Sequence, residues 1–117
     1  MALPVNRTFN EATVYARTTS IGATPAAGST IATRKGRLAR VFAFSEGASS
    51  GTIAVAVAVA GATQSGAAMS FTGGANAFAT TECATDIRVI EGDVITFTPS
   101  GGAGASIPGH FYAVIRE

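Results

Sequence analysis

The chain has 117 residues, enough for one hydrophobic core and too few for two, and its 8 basic and 7 acidic side chains leave a formal net charge of +1. Charged residues are only 13% of the chain and the sequence pI is near 8.0, which argues against a nucleic-acid partner, because polyanion binding calls for clustered Lys/Arg and a strongly basic domain. A single cysteine, Cys83, rules out an intrachain disulfide, and the longest apolar run (53–62) is about half the ~20 residues a membrane helix needs.

The first residues, Met1 to Asn10, lack the charged-then-apolar plan of a signal peptide, so export is not expected. With Pro4, Asn6 and Asn10 among them they read as an extended arm, 1–10, carrying Leu3, Val5, Arg7 and Phe9 ahead of a single domain over 11–117. Glu11 to Ile21 is rich in β-branched and aromatic residues and predicts a first strand that stops at Gly22. Ala23 to Ser29 reads as a loop around Pro25 and Gly28, followed by a short strand at Thr30 to Thr33 and a tight turn at Arg34-Lys35-Gly36-Arg37.

Leu38 to Ser45 alternates, with Leu38, Arg40, Phe42 and Phe44 expected on one side, Ala39, Val41 and Ala43 on the other, and both faces mostly buried. Thr52 to Ala60 is the clearest strand. Ile53, Val55, Val57 and Val59 share one face and Ala54, Ala56, Ala58 and Ala60 the other, a period of two that outweighs the helical preference of alanine. Gly61 to Gly66 reads as a loop, Met69 to Thr72 as a strand, and Ala77 to Glu82 as another anchored by Phe78. Asp86 to Ile90 and Val94 to Thr98 flank a turn at Glu91-Gly92-Asp93, with Ile87, Val89, Val94, Ile95 and Phe97 expected in the core. Pro99 to Gly104 is assigned to a loop, and His110 to Arg116 closes the chain as an alternating strand. About eight short strands bounded by Gly, Pro, Ser or Asn predict an antiparallel β-sandwich, and apolar residues on both faces of several strands suggest covering by other copies.

The chemistry-bearing residues are sparse and scattered. The carboxylates stand singly except Glu91 and Asp93, whose Gly-centred spacing fits a strand–turn–strand better than a calcium loop needing six or more oxygens. His110 is the only histidine and lies far from Cys83 in sequence, and the Gly73-Gly74 and Gly101 to Gly104 groups are not followed by a helix. The expectation is therefore no catalytic residue, no metal, no cofactor and no enzyme activity. Arg34, Lys35, Arg37 and Arg40 form the one basic cluster, and without interleaved aromatics it suits an acidic protein surface or a solvated turn rather than a nucleic acid.

From Leu38 onwards, the phrases Val41-Phe42-Ala43-Phe44, Thr52 to Ala60, Arg88-Val89-Ile90-Glu91-Gly92-Asp93-Val94-Ile95-Thr96-Phe97 and Phe111 to Ile115 resemble small jelly-roll structural proteins of tailed bacteriophages, of the capsid decoration (cement) type. The resemblance implies an all-β, jelly-roll-like sandwich with an N-terminal arm, a homotrimer on the outer capsid of the virion with the major capsid protein as partner. The contacts then expected are Leu3, Val5, Arg7 and Phe9 of the arm and Arg34, Lys35 and Arg37 of the basic turn. A receptor- or carbohydrate-binding module of a phage fibre or spike is the competing expectation, for which Tyr15, Tyr112 and Phe78 are the aromatic candidates, although no Trp is present.

Overall fold

Short β-branched segments punctuated by Gly, Ser and Pro form ten strands and one 3₁₀ turn in the computed structural model, which describes residues 11–47, 50–72, 74, 76–84 and 86–117. The strands are β1 Glu11–Thr18, β2 Gly28–Ile31, β3 Gly36–Ser45, β4 Thr52–Val59, β5 Ala62–Thr63, β6 Met69–Thr72, β7 Phe78–Glu82, β8 Arg88–Val89, β9 Val94–Ser100 and β10 Gly109–Arg116. One antiparallel sheet, sheet A, runs β1-β10-β3-β7 with β8 also on β3, and the other, sheet B, runs β2-β9-β4-β5 with β6 also on β4.

If β5/β6 and β7/β8 are each counted as one interrupted strand, eight strands remain, ordered 1-8-3-6 in sheet A and 2-7-4-5 in sheet B. The first strand pairs with the last, the second with the seventh, the third with the sixth and the fourth with the fifth. That is a long antiparallel hairpin rolled into two sheets, the jelly roll. Inward residues of both sheets make the core, and the Phe97 and Phe111 rings stack across it 4.8 Å apart and within 4° of parallel.

The β4 alternation is as the sequence predicts, with Ile53, Val55, Val57 and Val59 buried and the alanines of its other face turned outward. Strand β3 departs from simple alternation. Val114 of β10 faces Arg40, but the next residue, Ile115, faces Leu38, so Ala39 is an extra residue in β3. This bulge reverses the face of what precedes it: Leu38 is fully buried with Ala39, Val41 and Ala43, while Arg40, Phe42 and Phe44 point outward. The Ala39 carbonyl accepts the Cys83 N–H at 2.9 Å, and the Ile87 carbonyl accepts the Leu38 N–H at 2.9 Å.

Several expected positions are corrected. Phe78 does not anchor β7, being 68% exposed on the strand at the sheet's margin. Val94 opens β9 on the outer face, leaving Ile87, Val89, Ile95 and Phe97 as the buried members of that group. The segment after Gly61 holds β5 and the 3₁₀ turn Ser65–Ala67, and β9 continues through Pro99 and Ser100 because Pro99 keeps its place opposite Val55. The second strand starts two residues before the predicted Thr30, at Gly28, where a Cβ would lie 2.7 Å from the Arg17 carbonyl oxygen. The Glu91-Gly92-Asp93 turn closes as expected, the Asp93 carboxylate accepting the Ile90 N–H at 3.0 Å.

Candidate interaction site

Strand alternation places on the outer face of sheet A every second residue of β1, β10, β3 and β7, and the registers align them in rows. One row is Tyr15, Tyr112, Phe42 and Thr80, and the next is Arg17, His110, Phe44 and Phe78. The rings form a continuous set. Tyr15 and Tyr112 have centroids 5.1 Å apart, Tyr112 meets Phe42 edge-on at 6.5 Å, and His110 lies 5.7 Å from Tyr15 and 5.8 Å from Phe44. Tyr15, Tyr112 and Phe78 are exposed, and Phe42, Phe44 and His110 are half-buried among them.

Ionic contacts border the rings. On the third row Arg40 is paired with Glu82 and its guanidinium stands 5.7 Å from the centre of the Phe42 ring. The Arg116 Nε–H donates to Glu11 at 2.6 Å. His110 is held from both sides, with Nε2 at 2.6 Å from the Glu46 carboxylate and Nδ1 against the Tyr15 hydroxyl. With the proton on Nε2, the imidazole donates to Glu46 and accepts from Tyr15, which holds the tyrosine ring upright on the sheet. The arrangement is a rigid, largely uncharged aromatic surface with its polar groups engaged at the margins. It has the makeup of a docking surface for apolar contact, enriched in Tyr, Phe and paired Arg.

The residues expected from sequence to touch a partner fall elsewhere. Leu3, Val5, Arg7 and Phe9 lie outside the described residues. Arg34, Lys35 and Arg37 come together at one end of the sandwich, where Arg34 approaches Glu117 at 3.7 Å and where Arg34 and Lys35 line an open cleft with Thr33, Ile90, Glu91 and Glu117. Arg37 stands in register between Arg116 and Arg88, each of which has its own carboxylate, Glu11 and Asp86. Of the basic turn only Arg34 has a carboxylate within 4 Å among the described residues, and a solvated turn describes it well. Arg40, the fourth cationic residue of the predicted cluster, is separated from it by the bulge and belongs to the aromatic face.

Of the aromatic residues, sequence reasoning singled out Tyr15, Tyr112 and Phe78 but expected Phe42 and Phe44 to be covered. The available signal was Arg40, whose charge is out of place on a buried face and shares the period of Phe42 and Phe44. Cys83 is buried, and its thiol is pushed above the usual 9.0 by burial and then by the adjacent Glu82 charge, which makes it an unreactive core residue. Among the described residues there is no group of three or more His, Cys, Asp or Glu that could hold a metal ion, and no helix long and apolar enough to cross a membrane. Comparison with known proteins finds no matching family model, no matching curated protein and no matching solved structure.

Proposed function

We propose that this chain is a non-catalytic structural module of a virion, a decoration-type protein that binds the major capsid protein on the outer shell and stabilises it. The observation that supports the reading is the outer face of sheet A, where Tyr15, Tyr112, Phe42, Phe44 and Phe78 stand together on a rigid sheet with ion pairs at their edge. Such a face, central aromatics rimmed by satisfied charges, suits a permanent contact with another protein surface. A homotrimer around the shell contact remains part of the proposal, since a thin core of Ala and Val leaves stability to be gained from neighbours.

A second reading, a carbohydrate- or receptor-binding module, is favoured by one specific feature: Tyr15, Tyr112 and Phe78 are exposed on a common face, as rings that stack on sugar faces must be. The two separate experimentally. Shells assembled from the major capsid protein of the same virus should retain the chain on sedimentation, and the double variant Tyr112→Ser, Phe42→Ser should remain in the supernatant. A chain that ignores shells but is retained by a glycan array through the same residues overturns the decoration reading in favour of the second.

A further inference from the structure

We propose that Tyr15 is a nucleophile and a site of covalent acylation, its hydroxyl activated by His110 and Glu46 to take an acyl group from an activated carboxylic ester or a thioester. Three separate segments supply the group. Tyr15 stands on β1, His110 on β10 and Glu46 directly after β3, and they meet because β1 and β3 flank β10 in sheet A. The Tyr15 hydroxyl lies against Nδ1 of the imidazole, and Nε2 is 2.6 Å from the Glu46 carboxylate. Hydroxyl, base and carboxylate in that order are the arrangement that activates a weak nucleophile. The carboxylate holds the tautomer with its proton on Nε2 and leaves the Nδ1 lone pair to receive the hydroxyl proton.

Access follows the same order. Tyr15 is 44% exposed, whereas the imidazole is 18% exposed, set between the Tyr15 and Phe44 rings at 5.7 and 5.8 Å. An acyl donor therefore meets the hydroxyl before the base. Arg17, opposite His110 in register and on the same face of β1 as Tyr15, makes no ion pair among the described residues and supplies positive charge where a tetrahedral oxyanion would form. In the step, Tyr15 Oη bonds to the acyl carbon as its proton passes to Nδ1. The acyl bond to the leaving oxygen or sulfur then breaks, and the alcohol or thiol departs with that proton. The product is a phenyl ester on Tyr15, a modification rather than a turnover, and its formation does not depend on what the aromatic face binds. Tyr112 is an internal control. It stands 5.1 Å from Tyr15 on the same face and is 38% exposed, but the chain's only imidazole is turned to Tyr15 and Glu46.

The test treats the full chain with p-nitrophenyl acetate at pH 7, follows nitrophenolate release, and maps the acetyl group by mass spectrometry of peptides after an acid quench. The expected result is an acetyl group on Tyr15 that forms about 100-fold faster than on Tyr112, the lower end of what a positioned general base supplies. In His110→Phe, which keeps an aromatic ring in the stack, Tyr15 should fall to the Tyr112 rate while the amide spectrum stays that of the folded chain. Should that variant not fold, Glu46→Gln at an exposed position carries the test: a several-fold slower Tyr15 supports the proposal and an unchanged rate overturns it. Equal acetylation of Tyr15 and Tyr112, a Tyr15 rate unaffected in folded His110→Phe, or continued nitrophenolate release without acetyl on Tyr15, which would make the imidazole itself the nucleophile, would each overturn it.

Discussion

A Cβ added at Gly109 would sit 2.8 Å from both Cβ and Cδ1 of Ile21, a fully buried side chain, so this glycine is required by close approach. Gly109→Ala is expected to cost about 1–3 kcal/mol, read as a lower denaturation midpoint with an unchanged slope. At Ser45, also fully buried, the hydroxyl donates to the Gly47 carbonyl at 2.8 Å and so satisfies the sharp exit from β3. Cys83 sets a pH dependence. Its thiol is raised in the folded state by burial and by Glu82, so above the ordinary value of 9.0 the unfolded chain loses its proton first and is favoured. Stability from this group is therefore whole below pH 9 and lost as pH rises through the folded value. Denaturation at pH 7 and pH 10 should show a steeper alkaline loss in the parent than in Cys83→Ala.

At the scale of the element, β4 and β3 show where a pattern in sequence suffices and where it does not. The period-two run of β4 is unbroken, so its faces could be assigned from the residues alone. Val57→Ala on the inner face should cost about 2 kcal/mol by thermal or chemical unfolding, from lost methyl groups and the void they leave, whereas Ala56→Thr on the outer face should leave stability within about 0.5 kcal/mol. The β3 run carries the same apparent alternation, but the extra residue at Ala39 exists only in relation to β10. A bulge is a property of a strand pair, so nothing in Gly36–Ser45 by itself distinguishes the strand with Leu38 beside Phe42 from the one with Leu38 turned inward. Deleting Ala39 should leave an even ladder in which Leu38 directly precedes Arg40, still opposite Ile115 and turned inward, at the cost of the carbonyl that accepts the Cys83 N–H. Retained dispersion of the amide resonances with a lowered denaturation midpoint is the expected result.

Over the whole molecule, charge and aromatics are segregated in a way that composition conceals. Arg34, Lys35, Arg37, Arg88 and Arg116 gather with Glu11, Asp86, Glu91 and Glu117 at the end where β1 and β3 start and β10 finishes. The opposite end is made of the loops after β1, β3 and β9, tied by Ile21 N–H to the Ile107 carbonyl at 2.8 Å and Ser50 N–H to the Ala103 carbonyl at 3.0 Å. A surface balanced on average is thus polar at one end and apolar on one face. If the proposed function holds, replacing Tyr112 and Phe42 with serine should abolish association with the shell while shifting Tm by only a few degrees, because both side chains stand on the outer face. A collapse of Tm in that variant would instead assign the face to folding.

The all-β class, most strand positions, the β4 faces and the Asp93 turn follow from the sequence, because each depends on alternation, β-branching and turn residues within a few positions of one another. Three outcomes were decided by tertiary structure. The rolled hairpin brought together strands as distant as β1 and β10, the Ala39 bulge turned Leu38 to the face opposite Phe42 and Phe44, and the registers placed those two in rows with Tyr15, Tyr112, His110 and Phe78. The aromatic face could not be read locally because its members come from four strands, and which side of a strand is outside is settled by the pairing of its neighbours rather than by its own residues.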